Sequence, residues 1–178
     1  MRRTIMSLAC LFVIMFLVAS ATAQMPMPKP APELSKLDYL AGNWTSDGEM
    51  KPSPMGPGGK MSSTDEVHWM DGKFFLVMHS KFKGAMGDGM ALAVFGYDPE
   101  KKVYTYNEYN SMGQVNHSEG TITGDTWNWT SDENMGGQTF KGRYTMKELS
   151  PTSYTFKYEI SKDGTEWTTV MDGKSTRQ

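Results

Sequence analysis

A chain of 178 residues with 38% hydrophobic, 12% aromatic and 21% charged residues has the composition of one ordered globular domain. It is too aromatic for a disordered chain and too modestly charged for a coiled coil. A formal net charge of −2, with no basic cluster, excludes the counterion-displacing face of a nucleic-acid binder.

The predicted elements begin with a secretory signal over residues 1–23. Arg2 and Arg3 form a positive start, Leu8 to Ala19 is apolar, and Ala21-Thr22-Ala23 is a small-x-small cleavage site before Gln24. The apolar run is shorter than the ~20 residues that span a bilayer, so no membrane anchor is expected after cleavage. The protein is therefore expected to be exported, periplasmic or secreted. Cleavage also removes Cys10, the single cysteine, leaving no disulfide and no thiolate chemistry.

Residues 24–32, rich in proline, read as a stiff extended leader. Residues 33–178 read as one domain. Within it Glu33 to Ala41 carries Leu34, Leu37 and Leu40 at helical spacing, with Gly42 as a stop, which predicts one short helix. Everything after it alternates with period 2, the pattern of half-buried strands.

Ten strands are predicted, near 43–50, 61–70, 73–82, 89–97, 102–110, 114–122, 126–131, 138–147, 153–161 and 165–173. Asp71-Gly72 is a two-residue hairpin signal that sets Trp69 against Phe74, Val67 against Leu76 and Asp65 against Met78. Asp163-Gly164 sets Ile160 against Trp167, Tyr158 against Thr169 and Phe156 against Met171 in the same way. Short connections favour an antiparallel up-and-down meander. Closing it into an all-β barrel removes the exposed edges, with the helix capping one end; a two-sheet sandwich is the structural rival.

Leu40-Ala41-Gly42-Asn43-Trp44 resembles the opening of lipocalin-like (calycin) barrels. Phe95-Gly96-Tyr97-Asp98-Pro99, Ser111-Met112-Gly113 with Gly120, and Asp163-Gly164-Thr165-Glu166-Trp167 with Met171 together resemble the bacterial domain of unknown function 1579 family. The resemblance spans residue 33 to the end. It implies a barrel of about ten strands, akin to nitrobindin and the fatty-acid-binding proteins, and no established activity. Nitrobindin-like proteins hold haem through a histidine near the C-terminus; this chain has none after His117, so no cofactor is expected.

The candidate chemistry is sparse. His68 and His79 fall on one face but several residue pairs apart, among charged neighbours, which favours solvated histidines over metal ligands. His117 is placed to face Tyr106 or Asn107, with Glu108 nearby, although a one-residue slip turns it to the other side. Asp65 is the one acid on a mostly apolar face, to be satisfied by a hydroxyl of Ser63 or Ser80. No nucleophile–base arrangement and no phosphate-cradling loop is present, so no enzyme is expected.

Four Met-Gly pairs, at Met55, Met86, Met112 and Met135, fall in the connections after the first, third, fifth and seventh strands. Alternate connections of a meander emerge at one end, so these methionines are expected to surround one mouth opposite the helix. Three readings compete for that mouth: a portal for an apolar ligand, Cu(I) capture by thioethers, and turn methionines without a role. Met25, Met27, Met50, Met61 and Met90 are available to the copper reading.

The expected interior lining is aromatic. Its ligand-binding candidates are Trp44, Trp69, Phe74, Met78, Trp127, Trp129, Tyr144, Phe156, Tyr158 and Trp167, joined by Leu76, Phe140, Tyr154 and Ile160. Asp65, Ser80 and Thr169 are its expected polar groups. The favoured reading is an exported barrel that reversibly binds a small hydrophobic molecule. The alternatives are a Cu(I)-binding protein using loop methionines and a structural or interaction barrel with a filled core.

Overall fold

A computed structural model describes residues 28–53, 56–85 and 87–178. The signal segment, most of the proline-rich leader, and Met25, Met27, Met55 and Met86 lie outside the described residues. Among the described residues no helix is long and apolar enough to cross a membrane.

Proline opens the first element because its fixed φ suits an initial helical turn. Pro32–Tyr39 winds as a 3-10 helix, and at three residues per turn Leu34, Leu37 and Leu40 fall in one line. All three are buried. Ten antiparallel strands follow: β1 (Gly42–Met50), β2 (Gly59–Trp69), β3 (Leu76–Lys83), β4 (Gly89–Asp98), β5 (Val103–Asn110), β6 (Val115–Thr123), β7 (Thr126–Met135), β8 (Gln138–Ser150), β9 (Ser153–Ser161) and β10 (Thr168–Arg177). Each pairs with its neighbours in sequence, and β1 pairs with both β2 and β10, closing a barrel. The expected ten-stranded meander is the observed fold, and the sandwich is excluded.

The 3-10 helix caps the end where β2–β3, β4–β5, β6–β7 and β8–β9 turn. The Tyr39 hydroxyl lies between the carbonyls of Ser150 and Ser153, at 2.9 and 3.0 Å. The Tyr104 hydroxyl donates to the Glu33 carbonyl at 3.0 Å, and Trp69 Nε1 donates to Asp38 at 2.8 Å. Arg177, at the end of β10, donates to the carbonyls of Tyr39 and Ala41, both at 2.5 Å, with its guanidinium 4.7 Å from the Trp44 ring. These carbonyls sit where the helix ends and its acceptors lose their internal partners, so a cation is well placed there. Beneath the helix, Trp44, Trp127, Trp129 and Tyr154 fill the capped half of the barrel.

Both predicted hairpins differ in register from the two-residue turn reading. The β2–β3 connection runs from Met70 to Phe75, with the Met70 amide donating to the Phe75 carbonyl at 2.9 Å and Lys73 at φ +56°. Trp69 therefore pairs with Leu76, Val67 with Met78 and Asp65 with Ser80, a displacement of two residues that leaves every side chain on its expected face. It also puts a hydroxyl rather than a thioether beside the buried carboxylate. In β10 the register shifts between Thr169 and Met171. Val170 packs with Phe140 and Ile160 in a second small cluster, and Thr169 pairs with Glu159, away from the expected lining.

Where β1 and β10 cross, Gly48 faces Gly173 and the Phe156 ring lies over both. A Cβ on Gly173 would stand 2.4 Å from the Phe156 ring and 2.4 Å from the Asp47 carbonyl oxygen. The backbone cannot yield there as a flexible side chain would. Gly173→Ala is expected to destabilise the protein by ~1–3 kcal/mol, as overpacking does. Urea unfolding followed by tryptophan fluorescence will measure the loss.

Candidate functional site

The half of the barrel away from the helix is not filled. A cavity of about 430 Å³ runs from the aromatic floor towards the opposite end, within the ~300–1,000 Å³ range of small-molecule sites. Its floor is Leu40, Trp44, Val67, Phe95, Trp127, Trp129 and Met146. Above the floor Met61, Met78, Phe82, Phe156 and Met171 alternate with a polar set. That set comprises Ser46, Ser63, Asp65, Ser80, Tyr106, Glu108, Gln114, Asn116, Ser118, Ser131, Glu133, Tyr144, Tyr154 and Tyr158.

Seven of the ten sequence candidates line this cavity: Trp44, Met78, Trp127, Trp129, Tyr144, Phe156 and Tyr158. Three do not. Trp69 packs against the core at the capped end, where its ring nitrogen donates to Asp38, and it does not reach the cavity. Phe74 lies in the β2–β3 connection rather than in a strand, because that turn is longer than two residues. Trp167 precedes β10, with the Arg143 guanidinium 4.0 Å from its ring on the outer face. Phe140 and Ile160 pack in the second cluster, and neither they nor Leu76 line the cavity. Of the portal candidates, Met112 is exposed in the β5–β6 turn and Met135 ends β7; the other two lie outside the described residues.

The polar lining is organised around three carboxylates. Ser80 donates to Asp65 Oδ1 at 2.5 Å and Ser63 to Oδ2 at 3.1 Å. The Tyr106 hydroxyl donates to Glu108 Oε2, and Asn116 donates to Oε1 of the same group at 3.1 Å. Ser131 donates to Glu133 Oε1 at 2.7 Å, with the Tyr158 hydroxyl bonded to the same cluster. Gly142 makes room for it, since a Cβ there would stand 2.4 Å from Ser131 Oγ and 2.5 Å from the Tyr158 hydroxyl. Ser46 and Ser175 share a hydrogen bond at 2.5 Å beside Tyr154. Strand position puts Asp65 deeper than Glu108 and Glu133, which stand towards the open end.

Burial governs the proton equilibria. It raises the Asp65 carboxyl above the usual aspartate value, opposed by the bonds from Ser80 and Ser63 and reinforced by Glu108. The hydroxyls of Tyr106 and Tyr144 are held well above the ordinary tyrosine range, first by burial and then by neighbouring negative groups. Tyr154 is pushed up to about 12 for the same first reason. All of these tyrosines are neutral donors at neutral pH.

The histidines stand outside. His117 Nδ1 lies 2.8 Å from Asn107 Oδ1 on the outer face, while Tyr106 and Glu108 point inward, so the sheet divides the polar cluster foreseen around them. The altered β2–β3 register brings His68 and His79 together, contrary to the separation expected, as exposed parallel rings 5.7 Å apart. Among the described residues no group of three or more His, Cys, Asp or Glu side chains converges to hold a metal ion.

A family model for a protein of unknown function, DUF1579, matches residues 29–177. The chain belongs to that family. No curated protein matches it. Among solved structures, Rv2717c from M. tuberculosis superposes with a TM-score of 0.57 at 14% identity, covering 84% of this chain and 99% of that one. The S-type phycobiliprotein lyase CPES from Guillardia theta gives a TM-score of 0.55 at 10% identity, covering 81% and 91%. At these identities the likeness is one of fold.

The Asp65 shift has a consequence for stability. Its folded value lies above the ~3.9 of an unfolded aspartate, so between the two the folded state binds more protons. The contribution is fullest below ~3.9 and is lost as pH rises through the raised value. Asp65→Asn removes that dependence. Relative to wild type, the variant is expected to gain stability on going from about pH 3.5 to about pH 7, as measured by denaturant unfolding at both.

Proposed function

We propose that this protein reversibly binds a small organic molecule inside the barrel, with its apolar part on the aromatic floor and its polar part among the hydroxyls and carboxylates above. The observation that carries the reading is the cavity itself. One end of the barrel is packed solid under the helix, while the other keeps about 430 Å³ between mainly apolar walls that carry hydroxyls and carboxylates. A barrel built only for rigidity gains nothing from Ser46, Ser63, Ser80, Ser118 and Ser131, small polar residues where larger apolar ones would complete the core. The reading is one of reversible binding, in which the wall hydroxyls and carboxylates orient the ligand, and it includes no covalent step.

The Arg2-Arg3, apolar and Ala21-Thr22-Ala23 pattern supports export, and the binding is proposed to take place outside the cytoplasm. In that setting reversible capture within a lipocalin-like barrel suits carriage or buffering of a sparingly soluble molecule.

N-phenyl-1-naphthylamine, neutral at pH 7 and fluorescent in apolar surroundings, is expected to brighten on mixing with the protein and to saturate at one equivalent. Ser118→Phe fills the cavity from its wall and is expected to weaken that binding at least ~10-fold while preserving the unfolding midpoint within a few degrees. Equal brightening by wild type and Ser118→Phe would place the dye elsewhere and overturn the reading.

A further inference from the structure

We propose that the ligand carries a protonated amine, held among Asp65, Glu108 and Glu133, with its apolar body against the aromatic floor. The inference deepens the reading above and rests on it.

The first observation is the sign of the lining. Three carboxylates face the cavity, and among the described residues that line it there is no lysine, arginine or histidine. The same chain treats a buried acid on the outer face differently. Glu159, 7% exposed, lies 2.8 Å from Arg143 on one oxygen and 2.8 Å from Lys157 on the other. A charge taken from water without a counter-ion is costly; Asp65 is buried and Glu108 and Glu133 are half-buried, and all three are held by neutral partners alone.

The second observation is where the donors point. A serine or tyrosine hydroxyl has one proton to give. Ser63, Ser80, Tyr106 and Ser131 give theirs to carboxylate oxygens. What these four hydroxyls present to the cavity is then lone pairs, so around the three carboxylates the wall accepts hydrogen bonds. An ammonium group brings three donors and the missing positive charge. A carboxylate or phosphate ligand would meet acceptors and like charge.

The third observation is two polar groups left without partners. Tyr144 lines the cavity, is deeply enclosed by the barrel and lies near enough to Asp65 to feel its charge, yet its hydroxyl has no hydrogen-bond partner among the described residues. The Ser118 hydroxyl, also in the lining, has none among them either. Both are available to a polar ligand. The rings of Tyr106, Trp129 and Phe156 add π faces on which a cation is favoured.

The test uses three molecules that share one apolar body: 4-phenylbutylamine, 4-phenylbutanol and 4-phenylbutyrate, titrated calorimetrically into the purified protein at pH 7. The amine is expected to bind at least ~10-fold more tightly than the alcohol, and the carboxylate most weakly of the three. Glu108→Gln and Glu133→Gln, each close in shape to the native residue, are expected to reduce the amine's affinity ~10-fold and the alcohol's less than ~2-fold. Circular dichroism and N-phenyl-1-naphthylamine binding will verify that each variant keeps its fold and cavity. If the naphthylamine binds but the alcohol or carboxylate equals the amine, or the amine does not bind, the amine assignment is overturned and the cavity reading stands. The assignment also falls if both folded variants retain wild-type amine affinity. If neither the naphthylamine nor any of the three binds, both readings fall together.

Discussion

Closing ten strands into a ring fixes a width, and the rest of the structure responds to it. About eight strands give an interior that side chains can just fill, and ten give more. Under the helix the excess is taken up by Trp44, Trp127, Trp129 and Tyr154, with Leu34, Leu37 and Leu40 pressed on top. In the other half the inward positions of β1, β2, β3, β6 and β7 carry Ser46, Ser63, Ser80, Ser118 and Ser131, which cannot fill it. The cavity is the part of a fixed geometric surplus that the sequence leaves open. Its position follows from which end received the large rings.

The cap makes that asymmetry durable. Four of its ties reach distant parts of the chain: Tyr39 to the β8–β9 turn, Tyr104 to Glu33, Trp69 to Asp38, and Arg177 to the carbonyls of Tyr39 and Ala41. Arg177 is spent on helix carbonyls, and Arg143 and Lys157 are held on the outer face by Glu159. With these cations engaged elsewhere, the interior keeps a single sign.

The fold was legible because period 2 survives errors of register. Displacing the β2–β3 pairing by two residues moved Asp65 from Met78 to Ser80 and brought His68 beside His79, yet no side chain changed face. The floor was legible for the same reason, since Trp127 and Trp129 alternate with polar neighbours. The polar wall was not. In β5 and β6, residues such as Asn107, Glu108, Asn116, His117 and Ser118 are polar on both faces, and alternation then carries no inside or outside. In β7 the polar run Ser131 to Glu133 looked like the end of a strand, whereas pairing with β8 continues to Met135. Thr169 was misplaced because a bulge at Val170 leaves no mark in composition.

Asp65 and Glu159 show how much the choice of partner decides once a carboxylate is buried. Both sit on paired strands and both are pushed up by burial. At Glu159 that push is outweighed by bonds and charge from Lys157 and Arg143, and the carboxyl ends below its ordinary value. At Asp65 two serine hydroxyls oppose the push without outweighing it, Glu108 adds to it, and the carboxyl ends above. A hydroxyl can satisfy a lone pair but cannot cancel a charge. The outer face is therefore electrostatically finished, while the interior remains a set of satisfied acceptors with unsatisfied charge.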